Sequence, residues 1–177
     1  MPVSNINVIP EVIGMVRNAM PKKVIDIGIG FGKYGVLCRE VLDIKFGRYN
    51  RDEWKTIING IEVFKDYITP YHKYIYNKII IGDATKMHIK NYDVVLLCDV
   101  IEHLEHNKGI QFLDNLVRNN KFIIITTPAA FQHSEPYNGN KHEMHLSKWK
   151  PEDFERWDSM VKEKSATLIV YIHGMNH

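Results

Sequence analysis

The side chains best equipped for chemistry are gathered in the run Asp99-Val100-Ile101-Glu102-His103-Leu104-Glu105-His106. Asp99, Glu102 and His103 bring two carboxylates and an imidazole together just after an apolar run, 92–98. An imidazole titrates near neutrality when unperturbed, which makes His103 the best candidate general base, with Asp99 and Glu102 beside it. The same spacing also has a structural reading, in which Glu102 and His103 cap and orient a following helix. A later group, Asn140-Lys141-His142-Glu143-Met144-His145, could add His142 and His145 to Glu102 and His103. Two or more imidazoles with a carboxylate suit a divalent metal. The reading adopted assigns no metal and takes these residues as loop histidines.

The second chemical signal is Val24-Ile25-Asp26-Ile27-Gly28-Ile29-Gly30-Phe31-Gly32-Lys33-Tyr34-Gly35. A strand ends on a carboxylate, passes through alternating glycines and becomes a helix. Gly28 and Gly30 permit a tight turn and close approach of a ligand to the backbone. The helix that follows offers unpaired N–H groups to an anionic group. Carboxylates recur at the ends of later strands, in Ile61-Glu62-Val63, Gly82-Asp83-Ala84 and Cys98-Asp99. Glu62 can take both hydroxyls of a ribose, and Asp83 with the Ala84 amide can read a purine edge. Four such ends facing one crevice describe a nucleoside site. A dinucleotide fingerprint, Gly30-x-Gly32-x-x-Gly35, is also present, but Asp26 would then face a pyrophosphate.

These residues must be held by the elements around them. Apolar, β-branched runs at 23–27, 56–63, 78–81, 92–98, 122–126 and 167–172 read as buried strands. Helical spacing separates them. Pro10 opens a helix with Val12, Ile13, Val16 and Met20 on one face, and Tyr34, Leu37, Cys38, Val41 and Leu42 mark the next. Ile110, Leu113, Leu116 and Val117 mark a third, and Pro151 opens a fourth with Phe154, Trp157, Met160 and Val161 inward. The alternation predicts an α/β fold, doubly wound, with a mostly parallel sheet and helices on both faces. Residues 45–55 read as a solvated insertion, and Tyr67, Tyr71, Tyr74 and Tyr76 as aromatics packing around a helix broken at Pro70. Only one strand is visible at the carboxyl end, so the sheet reads as one strand short.

The chain has 177 residues, 23 basic and 21 acidic, with a net charge of +2. That size suits a single domain, and that balance argues against a strongly electrostatic nucleic-acid clamp. A nucleic-acid acceptor is therefore not favoured over a small molecule. Cys38 and Cys98 form no CxxC pair and read as buried free thiols of a reducing, cytoplasmic compartment. No apolar run is long enough for a membrane span, and no basic leader precedes Arg17.

Taken together, the residues resemble the class I S-adenosylmethionine-dependent methyltransferases, in particular the small-molecule branch carrying a "DVIEHL"-type fourth motif. The resemblance covers roughly residues 20–130. It implies a Rossmann-like methyltransferase domain over 1–177, with an N-terminal helix in 1–20 and a substrate-side loop at 128–150 that includes His133. It further implies that Asp26, Gly28, Gly30 and Gly32 surround the methionine part of S-adenosylmethionine. Glu62 and Val63 would meet the ribose and adenine, Asp83 and Ala84 the adenine edge, and Cys98 and Asp99 the methionine amine. The expected reaction is methyl transfer to a small polar acceptor, such as a sugar or metabolite oxygen. Glu62 stands further from the first turn than the ~20 residues usual for such an acid, which the 45–55 insertion explains. The acid–acid–histidine run with a later histidine is also similar to metal-dependent RNA 3′-end 2′-O-methyltransferases, a resemblance confined to that run. A binding protein that keeps the fold without turnover is the remaining alternative.

Overall fold

A computed structural model describes residues 4–130, 135–136 and 139–176. The apolar runs become β1 (Lys23–Ile27), β2 (Ile57–Glu62), β3 (Lys78–Ile81), β4 (Val94–Cys98), β5 (Phe122–Pro128), β6 (Ser159–Lys164) and β7 (Thr167–His173). They form a 7-stranded sheet in the order β3-β2-β1-β4-β5-β7-β6. β1 to β5 run parallel, β7 is antiparallel to β5, and β6 is antiparallel to β7. Every residue of β4 is buried, as a strand covered on both faces requires.

Helices α1 (Ile9–Ala19), α2 (Lys33–Leu42) and α3 (Pro70–Ile75) cover one face, and α4 (His106–Asn119) the other. The two-residue period of a strand divides the side chains between these layers. Val94, Leu96 and Cys98 enter the core with Val12, Val16 and Cys38, whereas Val95 and Leu97 join Leu113, Leu116 and Trp149. Full burial of each such aliphatic side chain contributes about 1.5–3 kcal/mol. Register aligns the carboxyl ends: Asp26 pairs with Gly60 and Leu96, and Glu62 with Ile81. The strand order reverses between β1 and β4, which opens the crevice where α/β sheets bind ligands.

Three expectations are corrected. Pro151 opens a short 3-10 turn, Pro151–Phe154, and not a helix. Met160 is exposed and Val161 packs inward, because the segment pairs as β6 along the edge of β7. The sheet is consequently not one strand short; it ends in an antiparallel hairpin turned by Ser165 and Ala166, both at positive φ (51° and 57°). Such mirror-image turns match the twist of paired strands even without glycine. Finally, residues 45–55 are not merely a solvated loop. Asp43 is fully buried and accepts hydrogen bonds from Arg39, Arg48 and the Lys55 amide, closing the insertion against α2.

Candidate active site at the strand ends

Gly28 and Gly30 take positive φ values of 74° and 50° as the chain leaves β1. A Cβ on Gly28 would meet Val100 Cγ2 at 2.7 Å, so both the turn and the close approach require glycine. The Gly28 amide donates to the Ile61 carbonyl at 2.9 Å, and the Gly30 amide donates to Glu62 Oε2 at 3.0 Å. Glu62 Oε1 accepts from the Phe64 amide at 2.9 Å, so one buried carboxylate staples the turn to the end of β2. Burial raises the Glu62 pKa, and the backbone N–H groups work against that rise.

Beyond these ends lies a cavity of about 650 Å³. Gly28, Gly30, Glu62, Val63, Asp83, Ala84, Cys98 and Asp99 all line it, as do Glu102 and His103. Asp26 and Gly32, expected beside them, do not. The strand period explains Asp26: Ile25 and Ile27 face α4, so Asp26 projects beneath α2, where the Tyr76 hydroxyl donates to it at 2.6 Å. Burial lifts the Asp26 pKa to about 7, and the Glu62 charge adds to the rise. Gly32 instead begins α2 and packs under the His72 ring.

At the other end of the cavity, Asp99 adopts φ 55° and its Oδ1 accepts from Thr126 Oγ1 at 3.0 Å. Cys98 closes the wall beside it, buried and free of any disulfide. Glu102 follows in the 3-10 turn Ile101–His103 and is 2% exposed. Its Oε2 accepts from Thr127 Oγ1 at 3.1 Å, while Oε1 has no hydrogen-bond partner among the described residues. Burial, reinforced by Asp99, pushes its pKa well above the carboxylate range. His103 Nδ1 donates to the Met144 carbonyl at 3.1 Å, which leaves the lone pair on Nε2. Burial lowers the His103 pKa, so the ring is neutral at neutral pH and able to accept a proton. The N-cap of α4 is Glu105, so neither Glu102 nor His103 caps that helix.

The loop after β5 completes the enclosure. The Leu146 and Ser147 amides donate to the Glu102 carbonyl at 2.7 and 3.1 Å, and Trp149 Nε1 donates to the Ile101 carbonyl at 3.2 Å. These bonds bring His145 to 5.0 Å from His103, centroid to centroid. One ligand atom from each of Glu102, His103 and His145 lies within 4.8 Å of the others. His142 lines the cavity outside this cluster, and His133 lies outside the described residues. The Tyr67 hydroxyl donates to Glu143 Oε1 at 3.1 Å and tethers the loop to the segment after β2. At the mouth, Asn5 Nδ2 donates to the Ser165 carbonyl and to Thr167 Oγ1. Sequence reasoning missed Lys33, Thr127, Tyr67 and Asn140 as site residues. Lys33 adjoins the glycine turn, Asn140 opens the second histidine group and Tyr67 begins the tyrosine run, whereas Thr127 carried no signal.

No family model and no curated protein matches the sequence. Solved structures do match. The DhpI–S-adenosylhomocysteine complex superimposes with a TM-score of 0.69 at 10% identity, covering 95% of this chain and 84% of that one. The N-terminal domain of EvdMO1, solved with S-adenosylhomocysteine and D-fucose, gives 0.61 at 12% identity and covers 93% and 83%. The methyltransferase domain of bacterial CtHen1 gives 0.57 at 17% identity and covers 93% and 96%. At such identities the likeness is one of architecture, and the chain has the Rossmann-like fold of the class I S-adenosylmethionine-dependent methyltransferases.

Proposed function

We propose that this protein transfers a methyl group from S-adenosylmethionine to an oxygen of a small polar acceptor. The observation that carries the reading is one cavity with a nucleoside-type end, Glu62 and Asp83, and an end where the proton acceptor His103 sits with Asp99 and Glu102. The donor set fits the cofactor. Gly28 and Gly30 leave a cradle without side chains, Glu62 stands where a ribose would be held, and Asp83 and Ala84 stand where adenine would end. When bound, S-adenosylmethionine supplies an electrophilic methyl group on a sulfonium. Neutral His103 takes the acceptor hydroxyl proton at Nε2, and the Met144 carbonyl fixes its tautomer. Leu146, Ser147 and Trp149 hold the loop that excludes water. Calorimetric titration with S-adenosylhomocysteine tests the reading: micromolar binding that Glu62→Ala abolishes supports it, and no binding by the unmodified protein sinks it.

One observation favours a second version of the same transfer. Glu102, His103 and His145 are grouped as a divalent cation requires, and Glu102 Oε1 is buried without a partner. A cation there would satisfy that oxygen and lower the pKa of an acceptor hydroxyl, such as the ribose hydroxyl of an RNA end. Turnover that EDTA abolishes and Mn²⁺ restores, lost in His145→Ala, would select this version; turnover indifferent to EDTA would exclude it.

A further inference from the structure

The charges lining the cavity are unbalanced. Glu62, Asp83, Asp99, Glu102 and Glu143 supply carboxylates, and Lys33 is the sole lysine or arginine among the described lining residues. Lys33 is the first residue of α2, directly after the glycine turn, and its Nζ donates to the Ser4 carbonyl at 2.7 Å. That bond holds the half-buried ammonium at the cavity wall and leaves two of its three protons for another acceptor. Burial lowers the Lys33 pKa, and Asp99 is the charged group that most opposes that fall. Lys33 and Asp99 thus bring side chains of opposite charge type to one cavity.

We propose that Lys33 binds the α-carboxylate of the cofactor's methionine end, with Asp99 answering its ammonium. This rests on the cofactor reading above. A zwitterionic end entering a cavity of carboxylates loses hydration and meets repulsion, and a buried carboxylate is tolerated only when paired. Lys33 is the one lysine or arginine among the described lining residues to pair it. A bidentate arginine is not needed, because a lysine acts as a point charge with rotatable donors.

The test compares two neutral-ended and acid-ended probes. S-adenosylhomocysteine carries the amino-acid end, and 5′-methylthioadenosine keeps the nucleoside and sulfur without it. In calorimetry, Lys33→Gln is expected to weaken S-adenosylhomocysteine binding about 10- to 100-fold and to leave 5′-methylthioadenosine within about twofold, the scale of a charge-assisted hydrogen bond. Lys33→Arg should recover part of the loss. The carboxamide of S-adenosylhomocysteine should bind the unmodified protein about tenfold more weakly than the acid, a measurement that needs no variant. Equal affinity for acid and carboxamide overturns the proposal, as does a Lys33→Gln protein that binds both probes normally or loses both alike. Failure of the unmodified protein to bind either probe removes the cofactor reading itself, a result distinct from the loss of Lys33 alone.

Discussion

Two buried glutamates at opposite ends of the cavity show how differently one residue type can be used. Glu62 has hydrogen bonds to both carboxylate oxygens, from the Gly30 and Phe64 amides, and both donors come from turns at the ends of neighbouring strands. Glu102 has one oxygen held by Thr127 and the other without a hydrogen-bond partner among the described residues. The first carboxylate has a backbone donor at each oxygen before any ligand arrives, and each oxygen keeps a lone pair toward the cavity it lines. The second is held above its normal pKa and has a hydrogen-bonding atom to spare. A buried polar group left unsatisfied costs about 1–3 kcal/mol, a cost that Glu102 carries and Glu62 does not.

The contrast can be broken or sharpened by substitution. The largest effect belongs to the acceptor end: His103→Ala should lower kcat about 10²- to 10⁴-fold while S-adenosylhomocysteine affinity stays within about threefold. Comparable losses in both quantities would show that the two ends are not separable. Next, Glu62→Ala strands two amides and should cost about 2–4 kcal/mol in urea unfolding. Glu102→Gln should cost under about 1 kcal/mol, since an amide of the same shape replaces a carboxyl whose charge burial already disfavours; a cost matching that of Glu62→Ala would erase the distinction.

Asp26 provides a third comparison, a carboxylate sealed from the cavity. Its folded pKa of about 7 lies above the unfolded value of 3.8, so the native state binds more protons between them and stability falls as pH rises through that window. Above pH 7 the contribution is flat. Asp26→Asn should therefore gain on the unmodified protein between pH 5 and 8 by about 1–3 kcal/mol, read from urea midpoints at each pH. An unchanged difference across that range would place the titration elsewhere. The smallest effect is expected at Met160, which is 62% exposed: Met160→Thr should change stability by less than about 0.5 kcal/mol. A loss above 2 kcal/mol would restore the inward-facing helix expected from spacing.

That last case shows where the sequence was and was not legible. The nucleoside end was readable because its glycines and acids stand at the ends of apolar runs, and strand ends are local features. Asp26 belonged to the same pattern, but which face its side chain takes depends on the two-residue period of β1. At Phe154, Trp157, Met160 and Val161 a helical spacing coincided with a strand. The free edge of β7 decided the outcome, because its backbone groups need a partner that a helix cannot supply. The acceptor end was half legible. Asp99, Glu102 and His103 were found, but the bonds with Met144, Leu146 and Trp149 that shape them span more than 40 residues, and those partners stand in a loop without periodicity.

Cys98 forms part of the wall against which the proposed donor would rest. A sulfonium methyl is an alkylating agent, and a thiolate is the nucleophile it would attack most readily. Burial, with Asp26 and Asp99 adding their negative charge, holds the Cys98 pKa well above the thiol's ordinary value. That shift favours the protonated thiol, the form least able to attack a methyl donor resting against this wall.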